Sequence, residues 1–185
     1  MGTYAADTQT LSIGLLLVRV VIGLIMAGHG AQKLFGWFGG YGLRGTGQFF
    51  VQLGFQPGPA FAAAASISEI ASGLLVALGF LGPIGPALMI SVMIVAAITV
   101  HWEHGLFATN NGIELPLLYA AAAFGLALTG FGQYSLDAWL GTRPWSVEGT
   151  WIVVALGILG GFANLALRRR PAQEKMPEGT SAARH

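Results

Sequence analysis

The chain has 185 residues, of which 54% are hydrophobic and 9% charged, and its net charge is +1. Soluble domains carry roughly a quarter charged residues, so water is the wrong solvent for most of this surface, and so small a net charge leaves no electrostatic footprint for nucleic acid. There is no cysteine, which excludes disulfides, thiolate metal ligands, iron–sulfur clusters and thiol catalysis from the chain's own chemistry.

Residues 1–10 lead into a first apolar run, Leu11 to Gly30. The run lacks the basic n-region of a signal peptide, and Arg19 interrupts it. At about the 20 residues that a spanning helix needs, it reads as a transmembrane segment. Its second half lies in "RVVIGLIMAGHGAQKLFG" (Arg19–Gly36), where His29 and Lys33 stand four apart on one helix face. "LFGWFGGYG" (Leu34–Gly42) then mixes glycines with rings that favour headgroup level. The overlapping "GYGLRG" is a formal GxGxxG, but no strand precedes it and the dinucleotide reading lacks its context. "TGQFFVQLGF" (Thr46–Phe55) reads as a short interfacial helix with Phe49, Phe50 and Leu53 dipping into lipid.

A second run, Pro59 to Leu81, holds a single charge, Glu69, among the small residues Ser66, Ser68, Ser72 and Gly73. "GFLGPIGP" (Gly79–Pro86) breaks the chain into a tight helical hairpin with a third, uncharged run, Pro83 to Val100. "HWEHGLFATNNG" follows, bringing His101 and His104 with Glu103, Asn110 and Asn111. Glu114 opens the fourth run, Ile113 to Phe131. After a polar segment, 133–148, comes a fifth run, Gly149 to Leu167, with a close-packing GxxxG at Gly157 and Gly161. The tail, 168–185, starts "RRR" and from Pro171 on has the polar, proline-containing composition of a disordered segment.

The expected fold is therefore all-α, a polytopic membrane protein of five spans, associated with the lipid bilayer. Basic residues concentrate on one side, at Lys33, Arg44 and the tail, which by the positive-inside rule gives an external N-terminus and a cytoplasmic C-terminus.

The charges inside the runs set the functional expectations. Counted from the midpoints of their runs, Arg19 and Glu69 lie at similar depth, and a lone charge near the bilayer centre costs at least ~2.5–3.5 kcal/mol. We therefore expect an Arg19–Glu69 ion pair, acting as a helix register pin or lining a ligand site or proton path. His29, Lys33, His101, His104 and Glu114 should gather in one layer at the cytoplasmic end. Imidazoles and carboxylates there can relay protons or bind the carbonyls of a quinone head group. No HxxxH or HExxH pattern marks a metal site.

These residues also carry a resemblance. The arginine-led first helix ending "GHGAQKLFG", the glycine-rich loop with "LGFQPGP", the glutamate in "SEIASGLLVALGFLGP" and "HWEHGLF…NNGIELPLLY" together resemble the DoxX family of small bacterial inner-membrane proteins. The resemblance covers residues 11–132 and implies a four-helix membrane bundle, with the fifth helix, 149–167, as an extension. It implies similarity to the DoxD-type membrane subunit of thiosulfate:quinone oxidoreductase, and links to thiol and oxidative-stress redox processes. On that implication Arg19, Glu69, His29, Lys33, His101, His104 and Glu114 are candidates for ligand binding or proton relay, with no catalytic residue assigned. Quinone is the cofactor so implied; no haem, flavin or iron–sulfur motif is visible, and sulfur oxidation would require a partner subunit. A homo-oligomer is open. The alternative is a non-catalytic solute or proton transporter, or an assembly or stress factor, and the sequence shows no internal repeat of the transporter kind.

Overall fold

The computed structural model describes residues 7–169; the first six residues and the tail from Arg170 lie outside them, so the expectation of a disordered tail concerns residues beyond the described ones. Helix α1 runs from Thr8 to Phe35. It is longer than its apolar run at both ends, for local reasons. Asp7 caps it, its carboxylate accepting from the Thr10 amide at 2.7 Å, and it stops only at Gly36, whose left-handed backbone suits a residue without a side chain. His29 and Lys33 thereby both lie on the helix, as their spacing implied.

The short helix α2 (Gly42–Gln52) lies where the interfacial helix was expected. It is pressed onto the start of α3 (Gly58–Leu78), where a methyl group added at Gly58 would stand 2.1 Å from the Gly47 carbonyl oxygen. That contact turns part of its aromatic edge inward. Phe49 remains exposed, but Phe50 is half-buried against Phe55, which is fully buried and packs in turn on Phe61. The expectation that all three apolar residues dip into lipid therefore holds only in part.

Gly79, Leu81 and Gly82 take left-handed conformations in the tight turn to α4 (Ile84–Ala96). The helix continues into a π-type turn, Ala97–His101, and a 3-10 turn, Trp102–His104. Helix α5 (Glu114–Thr129) follows, then the one-turn α6 (Leu136–Leu140) and α7 (Val147–Ala166). Four helices are long and apolar enough to cross a bilayer: α1, α3, α4 with its extension, and α7. The fourth expected span, α5, has 16 residues, or about 24 Å, short of the ~30 Å hydrocarbon core. It nevertheless carries the chain from one end of the bundle to the other, since the Gln133 amide that follows it donates to Ser12 near the start of α1.

Small residues set the helix pairs. Helices α1 and α3 touch backbone to backbone: a methyl at Gly23 would lie 2.5 Å from the Gly73 carbonyl oxygen, and one at Gly30 would lie 2.6 Å from that of Ser66. Helix α4 is central, packing on α3, α5 and α7. The α7 glycines serve this chain's own α4, with Gly157 against Ala87 and Gly161 against Ser91. Met26, Val76, Met89, Ile90, Met93, Leu126 and Val154 fill the common core. The outward faces carry large apolar side chains such as Leu17, Leu24 and Leu156, each more than half exposed, as a surface solvated by lipid requires. The chain is a multi-pass integral membrane protein.

Candidate functional site

The glycine contacts fix the register of α1 against α3, and the register decides which charges meet. With Gly23 beside Gly73 and Ala77, and Gly30 beside Ser66 and Ile70, Arg19 falls level with the last turn of α3. Glu69 falls level with residue 29 or so, some ten residues or roughly 15 Å further along α1. The expected Arg19–Glu69 pair does not form. Midpoints of apolar runs were a poor measure of depth because the two helices pack staggered, the centre of α1 lying level with the end of α3, and backbone contact at glycines sets that stagger.

Arg19 is buried to 2% exposure, with its guanidinium donating to the carbonyl oxygens of Ala77 and Tyr134. Ala77 lies in the last turn of α3, where helix carbonyls lack helical partners and the dipole is negative. Peptide dipoles, rather than a carboxylate, thus offset this charge. Three segments are joined in the process: α1, the end of α3 and the stretch before α6. Asp137 reinforces the same end, accepting from the amides of Leu81 at 3.1 Å and Gly82 at 2.8 Å.

Glu69 pairs instead with Lys33, in the last turn of α1. The carboxylate is 2% exposed and the lysine side chain 34%. One oxygen, Oε1, takes the ammonium; the other, Oε2, is buried with no partner. The hydroxyls of Ser66 and Ser72 do not serve it, because they donate to the α3 carbonyls of Ala62 and Glu69.

The pair lies in the wall of a cavity of about 230 Å³ between α1, α2, α3, α4 and α7. Its walls are mainly apolar, with Phe49, Phe50, Phe61 and Val92 among them, and its polar groups come from Ser68, Ser91, Thr99, His101 and Asn164 besides the ion pair. Thr99 and His101 belong to the π-type turn, a local widening that recurs at functional sites. An apolar pocket with a few convergent polar groups is the usual form of a small-molecule site.

Of the sequence candidates, then, Lys33, Glu69 and His101 come together. Arg19 is at the other end. His29 is half-buried beside the cavity layer, with Nδ1 3.3 Å from Gln32 Oε1 and its ring edge-on to Tyr119 at 6.2 Å. His104 and Glu114 are occupied in the loop between α4 and α5. His104 Nδ1 donates to the Val100 carbonyl at 3.0 Å, and Glu114 accepts from the Ala108 amide at 2.7 Å. Among the described residues no three His, Asp or Glu side chains gather as a metal site.

Sequence reasoning missed Thr99 and Asn164. Asn164 had a legible signal, since an amide in the apolar run of α7 is costly in lipid without a polar neighbour. Its helix is held in place at that end: Arg168 Nε donates to the Leu53 carbonyl at 2.6 Å, and the Arg169 amide to that of Gly54 at 2.8 Å.

A protein-family model, DoxX, matches residues 14–102. The match holds Lys33, Glu69 and His101, with Arg19 and His29, and ends before His104, Glu114 and Asn164. No curated protein and no solved structure matches the chain.

Proposed function

The chain belongs to the DoxX family through residues 14–102, and on that premise we propose that it is the membrane subunit of a quinone-linked redox system, binding the quinone head group, or a ligand of like shape, in the cavity at Lys33 and Glu69. One observation carries the reading: a largely buried ion pair, Lys33–Glu69, in the wall of a mainly apolar cavity. A polar head group in the cavity would give the partly exposed ammonium a partner that the apolar walls do not supply. An apolar cavity of roughly 150 Å³ accommodates benzene, so about 230 Å³ holds a substituted ring. Phe49, Phe50 and Phe61 supply the apolar walls. Lys33 keeps hydrogens beyond the one given to Oε1, so its ammonium can donate to a quinone carbonyl. Because the chain has no cysteine, oxidation of thiosulfate or a thiol belongs to a partner subunit in this scheme, with the present chain holding the quinone in the membrane.

Transport is supported less well. The two buried charged layers, at Arg19 and at Lys33–Glu69, are separated along α1 and α3 by the Gly23–Gly73 contact, where no side chain fits. That packing favours a blind site over a continuous polar path.

The test is to purify the chain in mild detergent and look by mass spectrometry for quinone that travels with it. Added decylubiquinone should raise the thermal midpoint, and Lys33→Ala should lose the effect. A preparation free of quinone, whose midpoint does not respond to the added compound, ends this reading.

A further inference from the structure

Lys33 lines a second cavity as well as the first. This one, of about 560 Å³, lies between the last turn of α1, the loop 36–41 and α2. Its walls differ in kind from those of the first. Gln32, Tyr41, Thr46, Gln48 and Gln52 line it, and among the described residues Phe49 is its one purely hydrocarbon side chain. Tyr41, Gln48 and Gln52 are exposed, which sets the mouth at the surface, at the headgroup level where aromatic rings such as Trp37 and Phe38 stand. The glycine-rich loop accounts for a polar pocket at this place. Gly36, Gly39 and Gly42 take left-handed conformations, and a side chain at Gly40 would collide with the Gln32 carbonyl, so only a loop of this composition folds back over the end of α1. Two bonds hold it there: Gln32 Nε2 donates to the Phe38 carbonyl at 3.3 Å, and the Thr46 hydroxyl donates to the Lys33 carbonyl at 3.2 Å.

A polar cavity holds a water molecule once its volume reaches ~10–15 Å³ and its walls offer partners, so this one has room for many. Lys33 and Phe49 line both cavities and so form the partition between them. We infer that the second cavity is the aqueous entry to the site: water fills it, and the Lys33 side chain is where that water meets a lipid-soluble ligand held in the first cavity. The entry stands whether or not that ligand is a quinone. On the quinone reading, on which only this consequence rests, the entry supplies a reactant. Reduction of the ring to a hydroquinone consumes two electrons and two protons. The electrons come from the sulfur donor on the partner subunit, and the protons come from water at this end of the bundle.

The chain has no cysteine, so single introduced thiols report where water reaches. In opened membranes, rates of reaction with the charged, water-soluble reagent MTSET are compared for thiols at Lys33, at Gln48 in the second cavity and at Val92 in the first. The Lys33→Cys chain also carries Glu69→Gln, so that no stranded carboxylate disturbs folding or the thiol. Its thiol should react at a rate close to that of Gln48→Cys. Val92→Cys should react at least about a hundredfold more slowly, because an apolar cavity excludes a fixed charge. Adding Gln48→Trp, a bulky ring at an exposed position of the second cavity, should slow the thiol at Lys33 and leave the one at Val92 unchanged. A thiol at Lys33 that reacts with uncharged N-ethylmaleimide but not with MTSET is reached from lipid alone, and that overturns the entry. So does a thiol at Val92 as fast as that at Gln48, which would mean one continuous aqueous space, or a thiol at Lys33 that Gln48→Trp does not slow. None of these outcomes depends on quinone: a chain that binds no decylubiquinone can still show the entry, so the two readings fail separately.

Discussion

Lys33 and Glu69 differ in how far each depends on the other. Glu69 is almost wholly buried, whereas about a third of the Lys33 side chain is exposed. Removing the lysine therefore strands a carboxylate in a low-dielectric environment, and removal of one partner of a buried pair typically costs about 3–5 kcal/mol. Lys33→Met should fall in the lower part of that range, because some water already reaches the site. The double variant Lys33→Met with Glu69→Leu should regain most of the loss, since it leaves no unpaired charge. Unfolding of the four species in detergent, as a double-mutant cycle, measures this. Additive losses would show that the two groups do not stabilise one another. Both residues were legible in the sequence as charges inside or beside apolar runs, but their pairing was not. A residue's depth depends on where its helix starts and stops, and on which turns touch, and hydropathy reports neither. Arg19 shows the same limit, for its two terminal nitrogens donate to the peptide oxygens of Ala77 and Tyr134 while Nε has no partner, an arrangement no side-chain pattern can announce.

Among the elements, the pairs held by glycine were the more readable. The GxxxG in α7 marked a close contact, and the structure supplies the partner, α4. Its weight can be tested by a single methyl group. In Gly157→Ala the new carbon would stand 2.4 Å from the Ala87 carbonyl oxygen, so two backbones must part. Overpacking of this kind costs about 1–3 kcal/mol, and only part is offset by the better helix propensity of alanine. Gly125→Ala in α5 is the control, because nothing lies within 4 Å of the added carbon, and it should be neutral or slightly stabilising. Thermal midpoints in one detergent should fall for Gly157→Ala and hold or rise for Gly125→Ala; equal shifts would mean that the α4–α7 contact does not hold the helix. The shortness of α5 was less readable. The helix loses one residue of the run at its start, where the Ile113 and Glu114 amides are held by the carbonyls of Gly105 and Leu106, and two at its end, where Gly130 takes a positive φ.

For the molecule as a whole, five helices that alternate in direction place the start of α1 and the end of α7 at opposite ends. Ser12 and Gln133 meet at one, and Arg168 and Leu53 at the other. Sequence counting had reached this topology without knowing that α7 would also line the cavity through Asn164, because tertiary contact between distant segments leaves no local pattern. Which end faces the cytoplasm is a matter of charge. Among the described residues the cavity end presents Lys33, Arg44, Arg168 and Arg169, and the opposite end only Arg143, since Arg19 is buried in hydrogen bonds to carbonyls. Lysine and arginine near span ends are retained on the cytoplasmic side, and acidic residues contribute little. The cavity end should therefore face the cytoplasm. A chain without cysteine makes the test clean, because an introduced thiol is the only one to react. Thr142→Cys and Asn110→Cys are both at exposed positions, on opposite ends. In intact cells an impermeant maleimide should label the first and leave the second unlabelled until the membrane is opened. The reverse pattern would put the ion pair and its cavity at the outer surface.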